Sequence, residues 1–153
     1  MKSSADFALE NNMIQYVDSH AHIMGEEYND DFDEMLKRCD EAHIDRIMII
    51  TLKNEETRRA LQFAERDPDR FKVAMGIFPE DVKDITEEYW EAFQKLAEDP
   101  GISVIGEIGL DYYWVKDLEE RELQRKWFIR QIELAKKLNK PIAVHSRDAI
   151  QGT

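Results

Sequence analysis

The feature that most constrains the fold is a regular alternation of strand and helix signals along the chain. Short β-branched runs, such as residues 46–51 and 102–109, are followed by longer segments whose apolar residues recur every three or four positions. Runs of the first kind are typical of strands covered on both faces, and the longer segments of amphipathic helices. Strands joined by helical crossovers form a parallel sheet. The sequence therefore predicts an α/β protein with a parallel sheet and helical crossovers.

The predicted elements amount to five parallel strands and four helices. We expect strands near residues 13–17, 46–51, 71–76, 102–109 and 141–145. The first helix is capped by Asp30 or Asp31 and ends near His43, where a left-handed backbone is needed. A helix at about 55–66 follows, then one that Thr86 caps and Pro100 closes, and a long one over about 118–138. If the sheet belongs to a TIM-type β/α barrel, five strands are fewer than the eight that close it, and that barrel is incomplete.

Composition bounds the class of protein. A chain of 153 residues with 42% hydrophobic residues can bury one core. Its net charge of −12 disfavours a general nucleic-acid or anionic-membrane binder, although basic residues outnumber acidic ones between 124 and 148. Cys39 is the single cysteine, the first twelve residues lack an apolar signal region, and no apolar run approaches the ~20 residues that span a bilayer. We expect a cytoplasmic protein with no membrane segment.

The first predicted strand leads into a His-x-His motif. Side chains two apart on a strand point the same way, so His20 and His22 can grip one cation. Imidazole nitrogens suit divalent transition metals, and catalytic sites keep open positions for water. Two nearby histidines also occur by chance, so the motif alone leaves both interpretations open.

Polar residues recur where the predicted strands end, which in a β/α barrel is the catalytic face. They are His20, His22, Thr51, Glu107, Asp111, His145 and Arg147. Glu107 is the sharpest case, because an unpaired carboxylate in an apolar strand costs several kcal/mol and needs a cation or hydrogen-bond donors. A salt bridge to Arg46 or another base is the alternative. Tyr112 and Tyr113 could line a pocket there or simply pack.

Three ordered motifs carry a resemblance to a known family. They are His20-Ala21-His22, the stretch GEIGLDYY at residues 106–113, and HSRDA at residues 145–149. With these motifs the chain resembles the TatD family, metal-dependent hydrolases of the amidohydrolase type that are described as deoxyribonucleases. The likeness covers about residues 14–151. It implies a (β/α)8 barrel, with residues 1–12 as an N-terminal extension and residues 13–153 as a partial barrel.

The resemblance also implies a metal centre with one or two divalent ions (Mg, Mn or Zn) at the barrel mouth. His20 and His22 would bind the first ion, Glu107 would bridge both, and His145 would bind the second. Metal-activated water would attack a phosphodiester of DNA in line. Glu107 and Arg147 are the implied catalytic residues. The implied substrate contacts come from Arg147, Asp111 and Tyr112, with the Arg147 guanidinium pairing a phosphate.

Two departures from the family pattern alter what we expect. The family usually has Gly-x-His-Pro where this chain has Phe78 before Pro79, and a phenyl ring cannot donate to a phosphate. The family also has a further His and an Asp ligand on later strands, while the remaining histidine here, His43, is in the wrong place. We therefore expect the N-terminal part of a longer protein, with little or no DNA hydrolysis by residues 1–153 alone.

Two other functions and one assembly state stay open at this stage. The same metal residues could serve an amidohydrolase-type enzyme that cuts C–N or C–O bonds, or could be idle in a non-catalytic remnant. A partial barrel leaves two unpaired edge strands, and inner-facing side chains would lack an opposite wall. Candidates for that uncovered face are Val17, Ile49, Val73, Ile105 and Val144, or their neighbours. We expect self-association, most simply as a homodimer through the open side.

Overall fold

The computed structural model describes residues 14–28 and 30–153, which form one parallel sheet flanked by helices. The strands, in sheet order, are β1 (Tyr16–Ala21), β2 (Ile44–Thr51), β3 (Phe71–Met75), β4 (Ile102–Asp111) and β5 (Ile142–Arg147). The helices are α1 (Phe32–Glu41), α2 (Asn54–Ala64), α3 (Glu87–Ala97) and α4 (Leu118–Leu138), with 3₁₀ turns at Glu26–Tyr28 and Val82–Asp84. Each strand pairs in parallel with the next. The predicted half-barrel of five strands and four helices is confirmed.

Local sequence signals set the ends of α3 and α4. The Thr86 hydroxyl accepts a hydrogen bond from the Tyr89 N–H at 3.1 Å, as predicted for the cap of α3. Asp117 caps α4 by accepting from two backbone N–H groups of its first turn, both at 2.9 Å. Asn139 ends α4 in the left-handed region (φ 53°), which satisfies the last carbonyls of the helix. The predicted bounds of α4 are therefore confirmed.

The start of α1 is made differently from the prediction. Asp31 occupies the N-cap position, but its side chain makes no capping hydrogen bond and instead accepts from the Arg38 guanidinium at 3.1 Å. The predicted left-handed residue after the helix is confirmed, since His43 has φ 59° and its N–H donates to the Asp40 carbonyl. His43 therefore serves the turn between α1 and β2.

Strand bounds differ from the predictions at both edges of the sheet. β1 begins at Tyr16 and includes His20, whereas the predicted start at Met13 lies outside the described residues. β5 extends to Arg147, because its pairing with β4 continues two residues beyond His145. The two edge strands thus carry the candidate metal-binding histidines within or directly after regular strand structure.

The core lies under the three central strands. Ile49, Val73 and Ile105 have no exposed surface and belong to one cluster with helix side chains, so we were wrong to place these three on the uncovered face. Their side chains point towards the helices. Apolar exposure is concentrated instead on the edge strands, where Val17 is 63% and Val144 47% exposed. None of the described helices is long and apolar enough to cross a membrane.

Candidate metal centre

Three polar side chains from two distant parts of the sequence converge near the carboxyl ends of the strands. His20 lies on β1, His22 directly follows it, and Glu107 lies on β4. The Glu107 Oε2 atom is 3.2 Å from His20 Nε2 and 3.7 Å from His22 Nε2. One ligand atom from each of the three residues lies within 4.8 Å of the others. Two imidazole nitrogens and one carboxylate oxygen thus face a common point.

The edge position of β1 keeps both histidines accessible. The alternation of the strand points the two rings the same way, with their centroids 5.2 Å apart. The pairing of β1 with β2 is irregular between Asp18 and Ala21, where the His20 N–H donates to the Asp18 carboxylate at 3.0 Å. The histidine side chains are 42% and 46% exposed, whereas the carboxylate of Glu107 is 14% exposed. The cluster is therefore open to solvent on the histidine side.

The carboxylate of Glu107, which lies in an apolar strand, is paired with a histidine. Its Oε1 atom lies 2.9 Å from His145 Nδ1 on the neighbouring strand β5. The alternative partner, Arg46, instead has its Nε 3.6 Å from the Asp45 carboxylate. Glu107 is therefore flanked by three histidines, and each of them can donate a hydrogen bond or share a cation with it.

His145 is held between two carboxylates. Its Nδ1 atom faces Glu107, and its Nε2 atom lies 3.0 Å from Asp111 Oδ2 at the end of β4. The ring also packs edge-on against Phe78, with centroids 4.6 Å apart and an interplanar angle of 65°. Its side chain is only 12% exposed. The contacts of its two ring nitrogens with carboxylates, together with the packing against Phe78, hold the His145 ring in one orientation.

Asp111 connects the centre to the loop that follows β4. Its carboxylate is fully buried, and Oδ1 accepts hydrogen bonds from the backbone N–H groups of Tyr113 at 3.0 Å and Trp114 at 3.1 Å. Burial opposes ionisation of this carboxyl, but the hydrogen bonds from Trp114, His145 and Tyr113 outweigh it and lower its pKa. Asp111 therefore anchors the loop and His145 at once, as a carboxylate.

The other predicted site residues lie around this polar cluster and differ in their exposure to solvent. Arg147 is half exposed, with its Nε 3.9 Å from Asp111 Oδ2. Tyr112 is only 9% exposed, and the Arg121 guanidinium covers its ring at 4.5 Å from the centroid. Thr51 is buried and structural, since its hydroxyl donates to the Ala74 carbonyl. The substrate contacts expected of Arg147, Asp111 and Tyr112 stay predictions.

Sequence reasoning did not single out two features of this site. The first is the ring contact between Phe78 and His145, which joins residues far apart in the sequence. The second is Trp114, which is 60% exposed beside Tyr113 at 48%. The run of aromatic residues after Asp111 is the sequence signal that could have pointed to Trp114. No local pattern distinguishes the buried ring of this run from the exposed ones.

Comparisons with known proteins show which family this chain resembles. The family described as TatD related DNase matches residues 17–153. The chain is 35% identical over 134 residues to the uncharacterized metal-dependent hydrolase YabD of Bacillus subtilis, covering 88% of this chain and 51% of that protein. It is 30% identical over 132 residues to the 3'-5' ssDNA/RNA exonuclease TatD of Erwinia billingiae, covering 86% and 50%.

A solved structure supports the same relationship. The Escherichia coli K12 TatD homologue YJJV superposes with a TM-score of 0.79 at 26% identity, covering 89% of this chain and 52% of that one. The chain spans about half the length of the curated relatives it matches. Because the family model matches residues 17–153, which is most of the chain, the chain belongs to the TatD related DNase family.

Proposed function

We propose that this chain carries the metal centre of a divalent-metal-dependent hydrolase that cleaves phosphodiester bonds of DNA. The observation that carries the proposal is the convergence of His20, His22 and Glu107 at the carboxyl ends of β1 and β4. Family membership supports the reaction class, since the relatives include a metal-dependent hydrolase and a single-stranded DNA/RNA exonuclease.

The residues present fit a catalytic divalent cation. Two imidazoles and one carboxylate form a ligand set known from catalytic zinc sites, which keep a further position open for water or substrate. The half-exposed histidines leave that open side towards solvent. A bound cation would supply Lewis-acid activation of water and of a phosphoryl group.

We further propose that His145 serves a second cation together with Glu107. Metal-binding histidines usually place their other ring nitrogen against a carboxylate, which orients the ring. His145 has this arrangement, with Nε2 against Asp111 and Nδ1 against Glu107 Oε1 at 2.9 Å. Glu107 and His145 would then be the residues that hold this second cation.

Arg147 is the residue that we propose to bind a substrate phosphate. Its guanidinium is half exposed, it extends from the end of β5 beside the metal centre, and its fork geometry suits phosphate oxygens. Binding of one or two divalent cations would also reduce the repulsion between DNA and a chain of net charge −12.

Calorimetric titration of Mn²⁺ and Zn²⁺ into the wild type and a His20→Ala/His22→Ala variant tests the metal centre. We expect binding by the wild type and its loss in the double variant. His43→Ala is the matched control, because His43 lies in the α1–β2 turn away from the site. Equal binding by all three proteins would contradict the proposal.

The substrate class needs a separate assay with the metal-loaded chain. We expect at most slow cleavage of bis(p-nitrophenyl) phosphate or a labelled oligonucleotide by this chain alone, any such cleavage to be lost in Glu107→Gln, and no cleavage of p-nitrophenyl acetate. Turnover of the carboxylic ester with no phosphodiester cleavage would favour a C–O hydrolase and contradict the proposed reaction.

We also propose that the open edges of the sheet mediate self-association. Tyr16 and Val17 on β1 are 55% and 63% exposed, and Ile142 and Val144 on β5 are 40% and 47% exposed. Edge strands with apolar side chains pair readily with another chain. Light scattering across a concentration series should show a dimer, and a monodisperse monomer of 18.1 kDa would refute this assembly.

A further inference from the structure

Two glutamine side chains of α4 are buried against the carboxyl ends of the strands. Gln124 and Gln131 are each only 1% exposed. They lie seven residues apart, which places them about two helical turns apart on the same face of α4. A buried amide is unfavourable unless it forms hydrogen bonds, so the groups that these two side chains contact explain their position.

Gln131 takes the place of a strand partner for Ile77. β3 ends at Met75, so the buried backbone of Ile77 lies beyond the end of the strand. The Gln131 Oε1 atom accepts a hydrogen bond from the Ile77 N–H at 2.7 Å, and the Gln131 Nε2 atom donates to the Ile77 carbonyl at 3.2 Å. Because buried backbone groups need partners, this two-point contact fixes the backbone of Ile77.

The backbone segment that Gln131 fixes borders two residues of the metal centre. One residue further on, the Phe78 ring packs edge-on against His145, with centroids 4.6 Å apart. One residue before, Gly76 lies so close to β4 that a Cβ there would be 2.5 Å from the Glu107 carbonyl oxygen. Gln131 therefore determines how this segment lies against both metal-binding residues.

Gln124 acts on the other side of His145. The pairing of β3 with β4 ends at Ile105, so Asp111 lies beyond it on β4. The Asp111 N–H donates to Gln124 Oε1 at 3.0 Å, and Asp111 Oδ2 lies 3.0 Å from His145 Nε2. The Gln124 Nε2 atom is buried without a partner among the described residues. Since an unpaired buried donor is unfavourable, Gln124 is better suited to positioning Asp111 than to stabilising the fold.

We propose that Gln124 and Gln131 are positioning residues of the metal centre, which hold His145 and Glu107 in place through the backbone at the strand ends. They act through backbone groups rather than by touching a cation or a substrate. The effect on cation binding rests on the proposed metal-dependent function. The orientation of the His145 ring does not, because its contacts are present without a cation.

The first test follows the histidine rings by proton–nitrogen correlation NMR of the metal-free protein, in EDTA and at one pH. The chain has four histidines, and a His145→Gln variant identifies the signals of His145. Gln124→Met and Gln131→Met keep the length of the side chain and remove its amide, so we expect each to shift or broaden the His145 ring signals. The signals of His43, which lies in the α1–β2 turn, should stay unchanged.

The second test measures the affinity for Mn²⁺ by calorimetry. We expect each methionine variant to weaken Mn²⁺ binding about tenfold, the lower end of the range for groups that orient metal ligands. Ile102→Ala is the matched control, because Ile102 is equally buried (1%) and lies on the same strand as Glu107, at its amino-terminal end. This control should lower the melting temperature but leave the Mn²⁺ affinity and the His145 signals as in the wild type.

Three results would overturn the positioning role. They are unchanged His145 signals in both methionine variants, the same signal changes in Ile102→Ala, and unchanged Mn²⁺ affinity in both variants of a chain whose wild type binds the ion. A wild type that binds no Mn²⁺, with His145 signals that change only in the methionine variants, would refute the proposed metal centre and support the positioning role. The two proposals therefore fail separately.

Discussion

Replacement of Asp111 should show how much one buried carboxylate contributes to the architecture of the site. Its side chain accepts hydrogen bonds from the backbone N–H groups of Tyr113 and Trp114 and contacts His145 Nε2. Hydrogen bonds to a charged group contribute about 1.5–3 kcal/mol and neutral ones about 0.5–1.5 kcal/mol, with non-additive sums. Asp111→Ala removes all three contacts, so we expect the free energy of unfolding to fall by about 3–5 kcal/mol.

The conservative variant separates the two roles of Asp111. Asp111→Asn keeps an oxygen for the two loop N–H groups and changes mainly the contact with His145, which predicts a smaller loss of about 1–3 kcal/mol. For a chain of this size each kcal/mol lowers the melting temperature by about 2–4 °C, so Asp111→Ala should melt roughly 6–20 °C below wild type.

Thermal melts followed by circular dichroism measure this difference in EDTA. Asp69→Ala is the control, because Asp69 is exposed in the turn before β3 and surface substitutions usually change stability by less than about 0.5 kcal/mol. An Asp111→Ala protein that melts within 2 °C of wild type, in roughly the range of the Asp69→Ala control, would refute the anchoring role.

Three further predictions concern stability. A Cβ on Gly109 (φ 153°) would lie 1.9 Å from the His145 carbonyl oxygen, so Gly109→Ala should lower the free energy of unfolding by at least about 2 kcal/mol. Gly152→Ala is the control and should be nearly neutral, because its Cβ would meet two side-chain ends at 3.2 and 3.3 Å and a carbonyl at 3.6 Å. Chemical denaturation distinguishes the two variants. The hydrogen bond from Arg130 lowers the pKa of Glu87, so this ion pair stabilises the fold above the ordinary carboxyl pKa and loses its effect as the pH falls through the lowered pKa. The difference in melting temperature between wild type and Glu87→Gln should therefore vanish at a pH below the lowered pKa. A difference that does not change with pH would contradict this prediction. Mn²⁺ at about 100 times its Kd should raise the free energy of unfolding by ~2.7 kcal/mol, and EDTA should remove this gain; a variant lacking both strand histidines should show no such gain in melts.

Much of the fold could be predicted because its signals are local. Helical periodicity places α4 over about residues 118–138, and Thr86 places the start of α3. Capping and αL geometry depend on residues within one turn, so they can be read in sequence order. The projection of His20 and His22 to a common side likewise follows from strand alternation.

The interior of the site was decided by tertiary structure. GEIGLDYY together with Trp114 contains acidic and aromatic residues in a row, yet Asp111 and Tyr112 are buried whereas Tyr113 and Trp114 are exposed. That division arises because Asp111 turns inward to His145 on another strand, and its second oxygen then holds the loop outward.

The contact between Phe78 and His145 is likewise set by the tertiary structure. The two residues are brought together by the order of β3, β4 and β5 in the sheet, and neither has a neighbour in sequence that predicts the other. Sequence alone indicated which imidazole and carboxylate side chains we propose as metal ligands and that they lie at strand ends, since both depend on residue type and short-range periodicity. Only the packed sheet decided which of them touch and which face solvent, because those contacts join strands far apart along the chain.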